Sequence, residues 1–270
     1  MGRLNERAAI SESSPSADGL LPIWHVDEAR ALFAGPLGRN DPHAHSVPVL
    51  VTGLYGAFRL KIGAGHWMRT PAAVIPAGTS YEFDVEGQPL AVLYLEPDGG
   101  GCDLLAAFLG ETSEARGALI GACSIHRELR ALYEARDGVA WASAALDDII
   151  AFAAPRARRR MDERIAQAVA SLSTAPDTAR SAVEAAHGVG LSSSRFQHLF
   201  AEEVGVPFRR FRGWQRLRRA IAETARGASL TAAAHTAGFA DQAHFARQFR
   251  QTFGAPASPS LRKVRCSQPD

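Results

Sequence analysis

The sequence predicts an α+β chain in two parts: a β-barrel with helices added to it, then an all-helical domain. Three observations predict it. The apolar period changes from 2 to 3.6 near the glycine run Gly99-Gly100-Gly101. The last third of the chain repeats itself at an offset of 49 residues. Positive charge collects in that same third, with 18 Lys and Arg against 8 Asp and Glu over residues 158–265 (net +10), and 12 against 20 elsewhere (net −8). A length of 270 residues suits two domains at roughly 150 residues each.

Residues 1–19 are polar and are expected to form a disordered tail. They lack the apolar core of a signal peptide, and no run of 18 apolar residues occurs, so neither export nor a membrane span is expected. The three cysteines, Cys102, Cys123 and Cys266, show no CxxC spacing, which fits a reducing cytoplasm better than a disulfide framework or a zinc ribbon.

From 20 to 97 the chain reads as strands. Phe58, Leu60 and Ile62 alternate with Arg59 and Lys61, and Tyr81, Phe83 and Val85 alternate with Glu82, Asp84 and Glu86. Turn signals at Asn40-Asp41-Pro42, Gly63-Ala64-Gly65 and Pro76-Ala77-Gly78 separate short strands, as in a sandwich or small barrel. Residues 102–154 take helical spacing, with Leu104, Leu105 and Phe108, then Ile125, Leu129 and Leu132, then Leu146, Ile149 and Ile150. Residues 156–160 form an arginine-rich linker after Pro155, and in the last domain, 161–265, residues 161–264 are expected to be all-helical, with breaks at Gly188, Gly205-Pro207, Gly227, Gly238 and Gly254 and no strand beyond residue 160.

The repeat aligns Leu191–Pro207 with Ala240–Pro256, matching Phe196 to Phe245, Phe200 to Phe249, Gly205 to Gly254 and Pro207 to Pro256. An Ala-rich short helix and a glycine precede each copy, which is the helix-turn-helix order, and Ser192 and Asp241 stand where N-caps belong. A single helix from Phe208 to Arg226 would span roughly 28 Å at about 1.5 Å per residue. That is a credible spacer between readers that enter successive major grooves roughly 34 Å apart. Its arginines 209, 210, 212, 216, 218 and 219 are candidates for phosphate contact, Arg210 and Arg216 above all.

Residues from Asp177 to Leu261, about a third of the chain, resemble the double helix-turn-helix domain of AraC/XylS-type bacterial transcription regulators. The resemblance rests on Leu191-Ser192, on Phe196…Phe200…Gly205-Val206-Pro207, on Ala237-Gly238-Phe239-Ala240-Asp241-Gln242-Ala243-His244-Phe245 and on Phe253-Gly254-Ala255-Pro256. It implies sequence-specific binding of double-stranded DNA. With Phe196, Leu199 and Phe200 facing inward, helical phase turns Ser194, Arg195 and His198 outward with Gln197 on the flank. In the second copy it turns out Ala243, His244 and Arg247. Arg and Gln match guanine and adenine edges; Gln197 and Gln242 join the candidates through the resemblance, although Gln242 sits off the outward arc.

In the N-terminal part, His43-Ala44-His45 and Pro76-Ala77-Gly78-Thr79-Ser80-Tyr81 resemble the cupin barrel that serves as sensor in many such regulators. The cupin metal pattern adds an acid and a further histidine. Here no acid lies between Ser46 and Arg59, and Tyr81 stands at the histidine position. No metal, no other cofactor and no catalytic site are expected. His43, His45 and Tyr81 are instead candidate ligand-binding tips among apolar strand residues such as Phe58, Leu60, Phe83 and Val92, suited to a small neutral or weakly acidic effector. In the resembling family the helices after the barrel often pair subunits, so a homodimer is expected, with Leu129 and Leu132 as candidate contacts. Two alternatives stand beside the regulator reading: a cupin-type metalloenzyme with an appended DNA-binding module, and a constitutive DNA-binding protein whose barrel only dimerises.

Overall fold

The computed structural model describes residues 20–27, 29–135, 138–153, 161–174, 181–261 and 265–266. The expected tail, 1–19, and linker, 156–160, lie outside the described residues. The chain is a mixed α and β protein, with a sheet domain first and a helical domain second.

Main-chain hydrogen bonds organise the sheet domain into two sheets. The larger has the order β11-β1-β2-β8-β3-β6-β10-β9, and the smaller is β5-β4-β7. Their ranges are β1 Ile23–Val26, β2 Arg30–Pro36, β3 Val49–Gly53, β4 Phe58–Ile62, β5 Met68–Thr70, β6 Ala72–Ile75, β7 Tyr81–Asp84, β8 Pro89–Leu95, β9 Ser113–Ala115, β10 Ala118–Gly121 and β11 Arg265–Cys266.

Burial explains the two kinds of strand in the sequence. β4 has one buried face, so Phe58, Leu60 and Ile62 are buried while Arg59 and Lys61 are not. β8 is buried along its whole length, because both faces of the large sheet are covered. Val49, Val51, Val92 and Tyr94 face the small sheet, where they pack with Leu60, Tyr81 and Phe83. Leu32, Leu50, Val74 and Leu93 face the opposite way, against α1 (Gly101–Ala106), α2 (His126–Glu134) and α3 (Gly138–Ala153).

Three local expectations change. The stretch 102–154 is not continuously helical: β9 and β10 form a hairpin through Arg116 and Gly117, both at positive φ (53° and 85°). Two successive residues of that kind make the tight turn whose twist matches a hairpin. Residues 265–266 pair in parallel with β1, so a strand does lie beyond residue 160. Leu129 and Leu132, each 1% exposed, are used inside the domain against the large sheet and are not available to a second subunit.

The helical domain comprises α4 (Glu163–Thr174), α5 (Ala182–Gly188), α6 (Ser193–Val204), α7 (Phe208–Ala225), α8 (Leu230–Thr236), α9 (Gln242–Phe253) and α10 (Ala257–Leu261). Its phenylalanine core joins the space between the two sheets in one apolar cluster, so the domains share an interior.

Candidate functional site

Each helix-turn-helix unit is set by its caps. Ser192 Oγ accepts from Arg195 N at 3.3 Å and Asp241 Oδ1 from His244 N at 2.6 Å, fixing the starts of α6 and α9. The preceding helices are capped likewise, α5 by Ser181 with a reciprocal Glu184 contact and α8 by Ser229. Both α6 and α9 end on a left-handed glycine, Gly205 (φ 85°) and Gly254 (φ 65°), a conformation that other residues adopt only with strain.

The inward faces are phenylalanine-rich: Phe196 and Phe200 on α6, Phe245, Phe249 and Phe253 on α9. Ser194, Arg195, Gln197 and His198 are exposed on α6, and Gln242, Ala243 and Arg247 are exposed on α9. His244 is half-buried, its ring edge-on to Phe239 at 5.3 Å. Gln197 Nε2 donates back to Ser193 Oγ at 3.2 Å, and Gln242 Oε1 accepts from the Thr231 hydroxyl at 2.7 Å, a link between the two helices of the second unit. Between the units, α7 is one helix of 18 residues, or roughly 27 Å at about 1.5 Å per residue.

The arginines of α7 divide between two surroundings. Arg216 is half-buried. Arg210 reaches the sheet domain, donating to Ala44 O at 2.6 Å, and burial holds its guanidinium pKa below the usual arginine range. Arg218, grouped with the phosphate-facing arginines on helical sequence alone, is instead 5% exposed and paired with Glu96 at 2.7 Å. Glu96 is 1% exposed and also accepts from Trp214 Nε1 at 2.8 Å and Gln215 Nε2 at 2.9 Å. Arg218 donates further to Asp27 O. Burial raises the Glu96 carboxyl above its ordinary range, against the pull of Arg218. This cluster, which no motif announces, ties α7 to the end of β8.

The two units meet the sheet domain through equivalent turns. A Cβ on Gly78 would lie 2.9 Å from Gly205 O. Asp41 N donates to Gly254 O at 3.0 Å, and Asn40 Nδ2 to Phe253 O at 2.6 Å.

Beside that second contact lies a cavity of about 30 Å³. The sheet domain supplies His43, His45, Tyr81, Phe83 and Val92, and α9 supplies Phe249 and Phe253. The three candidate ligand-binding residues are therefore brought together, whereas Phe58 and Leu60, expected in the lining, belong to the core behind it. His43 and Tyr81 exchange main-chain hydrogen bonds, and their rings are 4.4 Å apart. His43 Nδ1 donates to Asp41 O at 2.7 Å; since a carbonyl only accepts, that nitrogen carries the proton. Burial lowers the His43 pKa to about 4 and that of His45 well below its ordinary value, so both rings are neutral near pH 7.

A metal does not fit this set. Among the described residues no three His, Cys, Asp or Glu side chains converge, and burial keeps the third neighbour, Tyr81, a protonated phenol.

Comparison with known proteins agrees with the geometry. A family described as helix-turn-helix domain matches residues 185–262. No curated protein matches the sequence. Among solved structures, a single-residue variant of ToxT from Vibrio cholerae, in its apo form, superposes with a TM-score of 0.60 at 13% identity, over 89% of this chain and 99% of that one. Wild-type ToxT with a bound unsaturated fatty acid gives 0.58 at 14% identity, over 90% and 99%. ToxT with (E)-4-(8-methylnaphthalen-1-yl)but-3-enoic acid gives 0.54 at 12%, over 86% and 98%. The likeness extends through both domains, so the two-domain fold is shared. Residues 185–262, which match the helix-turn-helix family, hold both helix-turn-helix units of the structure.

Proposed function

We propose that this chain is a sequence-specific, DNA-binding transcription regulator of AraC/XylS type, with a sensor in residues 20–155 and a DNA reader in residues 161–265. The observation that carries this reading is the pair of recognition helices, each buried on its phenylalanine face and exposed on the other, with the single helix α7 between them in the chain. Ser194, Arg195, Gln197 and His198 in one groove, and Gln242, His244 and Arg247 in the next, are the proposed base readers. Arg216 is the proposed phosphate contact on α7. Arg210 joins it only in an arrangement that frees it from Ala44.

The cavity at His43, His45 and Tyr81 is the proposed effector site. ToxT structures hold an unsaturated fatty acid or a naphthalenyl butenoic acid; by analogy the sheet domain here takes a small organic molecule. The reading includes a cytoplasmic location, no enzymatic activity and a homodimer whose contacts lie on the solvent side of α2 and α3. No described helix is long and apolar enough to cross a membrane.

Selection of random duplexes by the full chain tests the proposal. The expected result is enrichment of two short motifs about one helical turn apart. Recovery of unenriched sequence would leave only non-specific binding. Sedimentation of the purified chain tests the dimer.

A further inference from the structure

Two residues that line the cavity each carry a buried polar atom without a hydrogen-bond partner: His45 Nδ1 and the Tyr81 hydroxyl. Their residues are 2% and 1% exposed. Buried donors and acceptors are nearly always satisfied, so two orphans on residues that line one space need an explanation. Among the described residues no Asp, Glu, Lys or Arg lines that space, although the charge of Arg210, held by Ala44 O, acts on His45. A carboxylate brought there would lose its hydration with no cation in the described lining to replace it.

The free volume sets a second condition. One water needs roughly 10–15 Å³ of such space, so about 30 Å³ admits two waters and no organic molecule. The space beside the orphans is filled by the ring of Phe253, the last residue of α9. Its centroid lies 5.6 Å from His45, 5.7 Å from Trp24, 5.9 Å from Tyr94 and 6.2 Å from Trp214. The helical domain thus places one of its own side chains inside the sensor cavity.

We propose that Tyr81 and His45 together recognise the hydroxyl or amide group of an uncharged effector, and that the Phe253 ring occupies the place of that effector's apolar body. This deepens the sensor reading and rests on it. Effector and Phe253 then compete for one volume, and occupancy by the effector displaces the end of the second recognition helix from Asn40 and Asp41.

The test uses the full chain and two probes matched in size to a benzyl group: phenol, which is neutral at pH 7, and benzoate, which is not. Binding is followed by calorimetry and by tryptophan fluorescence, since Trp24 and Trp214 both pack on Phe253. Phenol is expected to bind Phe253→Ala about tenfold tighter than the wild-type chain. Adding Tyr81→Phe is expected to remove about tenfold, the value of one hydrogen bond to a buried group. Benzoate is expected to bind at least tenfold more weakly than phenol. Phe253→Leu, a milder change, is expected to give the same ranking with a smaller gain, and it replaces Phe253→Ala if the latter does not fold by circular dichroism. Equal phenol binding by wild type and the Phe253 variants overturns the plug. Binding unaffected by Tyr81→Phe, or equal for benzoate, overturns the recognition pair. Absence of phenol binding in every variant means that water satisfies the orphans, and overturns both. None of these titrations uses DNA: the expected ranking without duplex selection would sink the regulator reading alone, and duplex selection without the ranking would sink the inference alone.

Discussion

Replacing Glu96 with leucine strands a guanidinium between two domains. Arg218 is 5% exposed, its Nε already lacks a partner, and its remaining bonds go to the neutral oxygens Gln215 Oε1, at 3.0 Å, and Asp27 O. The substitution removes three hydrogen bonds to a buried carboxylate, from Trp214, Gln215 and Arg218. At about 1.5 kcal/mol each for bonds to a charged group, the loss is about 4.5 kcal/mol. This falls within the roughly 3–5 kcal/mol measured when one partner of a buried pair is removed. For a chain of this size the thermal midpoint should fall on the order of 10 °C. The double variant Glu96→Leu/Arg218→Met removes both charges and keeps apolar bulk, so most of the loss should disappear. Urea unfolding of the four species gives the coupling, and proteolysis between the domains reports where it is lost. A single variant within about 1 kcal/mol of wild type, or a double variant as weak as the single, would refute the argument that Glu96 and Arg218 act as a pair.

Arg247→Ala should weaken binding to the selected duplex by about 1–3 kcal/mol and relax one base position, read by competition binding; equal loss on random duplex would make Arg247 a phosphate contact. Arg216→Ala should weaken selected and random duplexes alike in the same assay. With about six phosphate contacts, the log–log dependence of affinity on salt should have a slope near −5. His43 takes up its proton near pH 6.5 when unfolded but only near pH 4 when folded. The folded chain therefore binds fewer protons in that window. This share of the stability is complete above pH 6.5 and is lost as pH falls toward 4, by about 3 kcal/mol; His43→Gln should reduce the fall of the urea midpoint over that range by this share, while His45, whose pKa is lowered in the same direction, keeps its own.

Much of the helical domain is visible in the sequence because its signals are local. Ser192 and Asp241 cap within three residues, and the phenylalanines recur at helical spacing, so helix phase and exposed arc follow from the same short stretch. The buried face of β4 is visible for the same reason, from the alternation of Phe58, Leu60 and Ile62 with Arg59 and Lys61. What escaped is long-range. Trp214 and Arg218 meet Glu96 across 118 and 122 residues, and Phe253 enters a cavity formed by residues 24–94. A glutamate ending an apolar strand and a phenylalanine ending a helix carry no mark of the partner opposite. The hairpin at Arg116-Gly117 is a different case: its dipeptide is an uncommon turn signal, and the apolar residues around it also suit a helix.

The sheet domain grips the same turn of each repeat, at Gly205 and at Gly254. Both grips are made by the sheet domain, so α7, α8 and α9 together must bring the second turn back to it. Inserting three or four residues into α7 would lengthen it by about 5.4 Å per added turn, and both turns would no longer seat together. A flexible tether between two readers tolerates such changes. Here the placement of the two helix-turn-helix units is held by the sheet domain, and under the proposed function an altered half-site spacing would have to be met by a change in the sheet domain as well as in the helix.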